Sequence, residues 1–232
     1  MSKISRFTIL ALAVAAMVVP AAMAQNISEG FENIGALGGG TWDQINHSTT
    51  IGSTNWFQGN PAVFPAQAGA TNAYIGANFN NTTGTNTISN WLILPTRTLS
   101  NFDTLSFWTR TVSAPAFPDR LQVRQSLNGG SSNIGVTAND VGDFTTLLLD
   151  INSSMTTTGY PNAWTQFTIN LSGIGAPTNG RLALRYFTPN GGPSGANSDY
   201  IGIDTLTYTQ VPEPASLALL GLGSLALIRR RR

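Results

Sequence analysis

The sequence has no cysteine, a single histidine, His47, and a single lysine, Lys3. Without cysteine there are neither disulfides nor thiolate metal sites, so the fold is held by its core and, where a metal enters, by a hard cation on oxygen ligands. One histidine excludes histidine-rich zinc sites and makes any Ser-His-Asp arrangement depend on His47, a loop-like residue after Asn46. Ser194 lies in Gly192-Pro193-Ser194-Gly195-Ala196, which lacks the spacing of a nucleophile elbow. Basic charge is also scarce away from the two ends. Residues 25–210 hold six arginines and no lysine against ten acids, a net charge of about −4. Such a surface lacks the cations that neutralise phosphates, which excludes nucleic acid and disfavours polyanionic lipid.

Patterns of helical period are missing from residues 25–210, and period-two alternation takes their place. Leu105, Phe107 and Thr109 alternate with Ser106, Trp108 and Arg110, and Leu121 and Val123 with Gln122 and Arg124. Phe167, Ile169 and Leu171 alternate with Gln166, Thr168 and Asn170, and Leu182, Leu184 and Tyr186 repeat the pattern. These runs predict half-buried antiparallel strands, with further strands over residues 90–94, 145–149 and 200–208. Runs rich in Gly, Asn and Pro at residues 35–40, 78–86, 128–133 and 189–197 predict loops, the first and last being candidate ligand rims. Of the aromatic residues only Phe7 falls outside this region, so one domain with a sizeable core is expected. The predicted class is all-β, an antiparallel β-sandwich.

Both ends read as addresses. Residues 1–24 have a basic start in Lys3 and Arg6, an apolar run over residues 7–19, and the small-residue ending Ala22-Met23-Ala24. This is a secretory signal peptide cut before Gln25, and without a twin arginine it takes the Sec route. At the other end, Val211-Pro212-Glu213-Pro214-Ala215-Ser216 leads into an uncharged run to Ile228 and then Arg229, Arg230, Arg231 and Arg232. Pro212 and Pro214 impose an extended, exposed stretch around Glu213. A helix over residues 215–228 is about 21 Å long against a hydrocarbon core of about 30 Å. The four arginines snorkel to the interface and stay on the cytoplasmic side, which leaves the domain outside the cytoplasm. This ending resembles the PEP-CTERM sorting signal. The resemblance implies bacterial export, transient anchoring in the inner membrane, processing by the transpeptidase-like enzyme exosortase, and the company of exopolysaccharide and biofilm production. The chain thus divides into a signal peptide (1–24), a domain (25–210) and a sorting segment (211–232).

A second resemblance spans the domain. Glu29-Gly30-Phe31-Glu32, Asn90-Trp91-Leu92-Ile93-Leu94-Pro95 leading into Leu105-Ser106-Phe107-Trp108, and Leu121-Gln122-Val123-Arg124-Gln125-Ser126 occur in order. Trp164-Thr165-Gln166-Phe167-Thr168-Ile169-Asn170-Leu171-Ser172 and Tyr200-Ile201-Gly202-Ile203-Asp204-Thr205-Leu206 follow. Together they look like the choice-of-anchor J domain, which is similar to the cleaved-adhesin and MAM-like jelly rolls. The resemblance implies a jelly-roll-like sandwich whose first and last strands are neighbours, with an acid from each end sharing a cation. Glu32 and Asp204 match those positions, Glu29 and Asp199 are further candidates, and their hard oxygens suit a structural Ca²⁺. Thr205 stands where the family commonly has a second acid.

The expected function is that of an exported, non-enzymatic cell-surface or extracellular-matrix protein, with Sec and exosortase as handling partners and exopolysaccharide as its surroundings. No catalytic residue is assigned and no cofactor is required. The alternative is a carbohydrate-binding module or adhesin, for which Trp42, Trp56, Phe57 and Phe117 are loop-like aromatics able to stack on sugar. A polysaccharide hydrolase needs two opposed carboxyls. Asp140 with Asp143, and Asp199 with Asp204, are close only along the chain.

Overall fold

A computed structural model describes residues 26–38 and 41–211. The signal peptide, the Pro212-Glu213-Pro214 motif, the short apolar helix and the four terminal arginines lie outside the described residues. In chain order the strands are β1 (Ile27–Glu29), β2 (Asp43–Asn46), β3 (Phe57–Gln58), β4 (Ile75–Asn78), β5 (Asn86–Ile93) and β6 (Arg97–Leu99). They continue with β7 (Thr104–Thr111), β8 (Leu121–Ser126), β9 (Thr146–Ile151), β10 (Thr165–Asn170), β11 (Thr178–Gly191) and β12 (Tyr200–Thr209). The first sheet runs β10-β7-β12-β4-β3 with β1 also on β12, and the second runs β2-β5-β11-β8-β9 with β6 also on β11. Every pairing is antiparallel, as in a jelly-roll-like sandwich.

The alternating residues explain the main core. Leu105 and Phe107 of β7 and Ile201, Ile203, Leu206 and Tyr208 of β12 project from one sheet. Ile88 and Leu92 of β5, Leu121 and Val123 of β8, and Leu182, Leu184 and Tyr186 of β11 meet them from the other. On β7 the alternation is strict, each second residue being buried. Elsewhere the expectation of half-buried strands needs correcting, because β5, β8, β11 and β12 are buried on both faces over most of their length.

Two long loops cover the outer faces. Residues 59–74 lie on the first sheet, where Phe64 and Tyr74 pack with Tyr200 and Trp164. The Phe64 and Tyr74 rings stack at 5.1 Å, and Trp164 Nε1 donates to Pro65 O at 2.9 Å. Residues 127–145 lie on the second sheet, where Ile134 and Phe144 pack on Trp91, Ile93 and Ala183. Beneath this second cover Arg185 is buried, its guanidinium 4.7 Å from the Trp91 ring centre and 3.9 Å from that of Phe187. It donates to Ser89 Oγ at 3.0 Å and to Ala138 O in the cover. Burial, with Arg124 and Arg120 nearby, lowers its pKa to about 9.

The loop-like runs are partly ordered otherwise. Residues 34–38 and 79–81 form 3₁₀ turns, the second opened by Asn78 in a reciprocal capping arrangement with Asn81. Pro189 to Gly191 extend β11.

Candidate functional site

The first and last strands are neighbours: β1 pairs with β12, Ile27 opposite Tyr208 and Glu29 opposite Leu206. Glu29 Oε1 accepts the Phe31 N–H at 2.7 Å, and the backbone then turns through a left-handed Phe31 to present Glu32 at the surface. On β12 the ladder is interrupted by a bulge between Asp204 and Thr207. Thr205 takes a φ of 47°, a costly conformation for a β-branched residue. Two contacts hold it there, its N–H on Asp204 Oδ1 at 2.5 Å and its hydroxyl on Gln67 Oε1 at 2.7 Å.

Asp204 follows Gly202 on the outer face of β12, so its carboxyl lies under the first cover, where it is fully buried, and the bulge after it returns Leu206 to the core. Its Oδ2 accepts the N–H groups of Gln67 at 2.8 Å and Ala68 at 3.1 Å. Burial raises its pKa, and these backbone donors oppose the rise. Glu32 reaches the same segment: a Cβ on Gly69, whose φ is 75°, would collide with Glu32 Oε1. Glu29 and Glu32 also line a cleft of about 400 Å³ with Asn33 and Trp42. Glu32 and Asp204 therefore meet opposite ends of residues 67–69. Among the described residues no group of three or more His, Cys, Asp or Glu is gathered for a metal.

Asp199 is elsewhere. It precedes β12, five residues from Asp204 along an extended strand, so the two carboxyls do not face each other across a substrate space. Its carboxyl accepts the Ala116 N–H and burial raises its pKa. Asp140 and Asp143 organise the second cover. Asp140 Oδ2 accepts from Val136 and Thr137 N–H, and Asp143 from Asn128, Ser131 and Asn133, contacts that lower both pKa values. His47 follows β2 with its N–H on Ser89 O at 2.9 Å and no partner on Nε2. Ser194 is held in its loop through Gly84 and Thr85.

The aromatic candidates divide. Trp42 and Trp56 are core residues at 9% and 4% exposure, and Phe57 packs on Tyr200 with ring centres 5.5 Å apart. Those three are corrected to structural roles, since exposing such rings forfeits the burial of some 150–250 Å² each. Phe117 remains 43% exposed and is joined by Phe79 at 36%. These two rings, with Gly192, Pro193, Gly195, Ser198 and Asp199, line a cleft of about 160 Å³. Phe79 was not singled out from the sequence, although a lone aromatic within Asn78-Phe79-Asn80-Asn81 is a signal of its own.

The chain leaves the sandwich beside its entry. Gln210 N–H donates to Asn26 Oδ1 at 2.9 Å, and Val211 N–H to Asp103 Oδ1 at 2.9 Å. From there, residues 210–232 match the model of the PEP-CTERM protein-sorting motif. The chain ends in a PEP-CTERM tail. That PEP-CTERM tail marks an exosortase-sorted, exported precursor and follows directly on the pinned end of β12. Among the described residues no helix is long and apolar enough to cross a membrane. The domain ahead of the PEP-CTERM tail has the fold of the K1 cleaved adhesin domain of Lys-gingipain from Porphyromonas gingivalis W83. The two share 24% identity and a TM-score of 0.53 over 81% of this chain and 99% of that one. The K2 cleaved adhesin domain of Lys-gingipain is similar at 18% identity and a TM-score of 0.50, again over 81% and 99%. No curated protein matches the chain.

Proposed function

We propose that this is a non-enzymatic protein of the cell surface or extracellular matrix. Sec exports it, the PEP-CTERM tail holds the precursor in the inner membrane, and exosortase cuts near Pro212 to Pro214. The sandwich is then released into, or joined to, an exopolysaccharide layer. The observation that carries this reading is the position of the sorting motif, which begins where the last strand is tied to Asn26 and Asp103. Entry and exit of the domain are adjacent, so an N-terminal signal and a C-terminal anchor reach one membrane face without deforming the sandwich.

Hydrolysis has little support, because each acid named as half of a carboxylate pair is engaged in holding a loop or a backbone turn. Deleting residues 212–232 is expected to send the domain freely into the periplasm or medium. Fractionation followed by immunoblotting checks this, and a truncated protein that stays with membrane or matrix overturns the anchoring role.

We further propose that Glu32 and Asp204 contribute to one Ca²⁺ site. Support comes from both carboxylates meeting the same short segment; backbone carbonyls would supply the remaining hard oxygens. Since Asp204 already receives N–H groups, the ion acts as an accessory clamp on the first cover. Calorimetric titration with Ca²⁺ is expected to give heat, and a chelator to lower the melting temperature. The absence of both overturns the site.

A further inference from the structure

The cleft between Phe79 and Phe117 lies where β12 begins, and the PEP-CTERM tail leaves where it ends, about 30 Å away at ~3.3 Å per residue. On the reading above, the tail end faces the membrane and this cleft faces away from it. The cleft is assembled from three segments. Phe79 opens the capped 3₁₀ turn and its N–H donates to Asp199 O at 3.1 Å. Phe117 lies between Ala116, whose N–H holds the Asp199 carboxyl, and Pro118, whose carbonyl accepts Ser198 N–H at 2.9 Å. The third wall is the loop after β11. A Cβ on Gly195 would collide with Asn190 O and Gly191 O, so this wall is packed against its own backbone and preformed.

The polar chemistry of the cleft is one-sided. The N–H groups of Gly192, Ser194, Gly195, Asn197 and Ser198 are all spent on Ser198 Oγ or on backbone carbonyls. The Asp199 carboxylate takes one backbone donor from Ala116 and has room for further donors. Among the described residues it is the only ionisable group lining the cleft, and no basic residue joins it. A ligand must therefore donate hydrogen bonds, carry no negative charge, and lay an apolar face on two half-exposed rings. A space of about 160 Å³ accommodates one six-membered ring with its substituents, not a helix or a strand.

We propose that this cleft binds a single pyranose residue of a non-acidic glycan, its C–H face on Phe79 and Phe117 and its hydroxyl or ammonium groups donating to Asp199. The assignment deepens the reading of a matrix-facing domain but is tested apart from it, since binding in solution does not depend on sorting. Saturation-transfer NMR on the full-length chain, in a detergent without a sugar headgroup, compares methyl glucoside, methyl glucosaminide and methyl glucuronide. The first two are expected to bind with dissociation constants of about millimolar, the scale set by so few ligand atoms. The glucuronide is expected to bind at least tenfold more weakly.

Phe117→Ala and Phe79→Ala should each lower the signal about tenfold, with a cooperative thermal melt confirming that each variant remains folded. Asp199→Asn should remove the discrimination against glucuronide. Equal binding of all three sugars, binding unaffected by Phe117→Ala, or no binding of any sugar overturns the proposal. So does binding of arginine or lysine amides without the glucoside, which makes the cleft a basic-peptide site.

Discussion

Asp119 is a buried carboxyl that joins the two sheets. Its Oδ1 accepts from Tyr186 OH of β11 at 2.6 Å and from Asp199 N–H at 2.8 Å, and its Oδ2 lies 2.6 Å from Thr111 Oγ1 of β7. Thr111 Oγ1 is also 3.0 Å from Tyr200 O. A threonine hydroxyl has one proton, so it cannot donate to both. A protonated Asp119 resolves this by donating to Thr111, which then donates to Tyr200 O. Burial raises the pKa of Asp119 to about 6, against the lowering effect of its hydrogen bonds. The folded value lies above the unfolded one, so the stabilisation from this group is complete below about pH 4 and is lost as the pH rises through 6. Between pH 4.5 and 7.5 the wild type should lose on the order of 2 kcal/mol relative to Asp119→Asn. Urea melts at the two pH values check it, and parallel pH dependences of the two proteins would show that the carboxyl is not held protonated.

At the scale of elements, the strands that face the core were legible because their alternation is local. Residues 105–110 read as a strand from six side chains, and β7 buries every second one of them. The covers were not legible. Phe64 and Tyr74 reach Tyr200 and Trp164 across ninety residues or more, and no period in residues 59–74 announces that they lie on a sheet. For the same reason the double burial of β5, β8, β11 and β12 went unread, and the loop-like settings of Trp42 and Trp56 did not show that both join the core. Gly202 tests how closely the first cover is seated. A Cβ there would come within 2.8 Å of Phe64 and 3.0 Å of Trp164 and Tyr74. Gly202→Ala is therefore expected to cost about 1–3 kcal/mol through overpacking. Gly175→Ala, where a Cβ meets nothing within 4 Å, should be neutral. Equal urea midpoints for these two variants would mean that the cover yields without cost.

At the scale of the whole molecule, the address was legible whole and the cleft only in pieces, Phe117 and the rim over residues 189–197 being readable without Phe79 or their meeting. The sorting tail is one contiguous motif, whereas Phe79, Phe117 and Asp199 come together only through the sandwich topology. The fold also ties down the strand that precedes the tail. Tyr208 OH donates to Asp103 Oδ2 at 2.5 Å, Gln210 Nε2 to Thr98 O at 3.0 Å, and Val211 N–H to Asp103 Oδ1 at 2.9 Å. These contacts secure the chain as far as Val211, the last described residue. A chain ending at Val211 should keep its melting temperature within about 2 °C of the full-length protein, because it retains all of β12 and the contacts that tie its end to Asp103 and Thr98. A chain ending at Thr205 loses the partner of β1 and the Tyr208 hydroxyl on buried Asp103, and it should melt at least about 10 °C lower or fail to fold. Differential scanning calorimetry of the two truncations separates these outcomes. If the chain ending at Val211 were as unstable as the shorter one, removal of the sorting tail would unfold its own cargo.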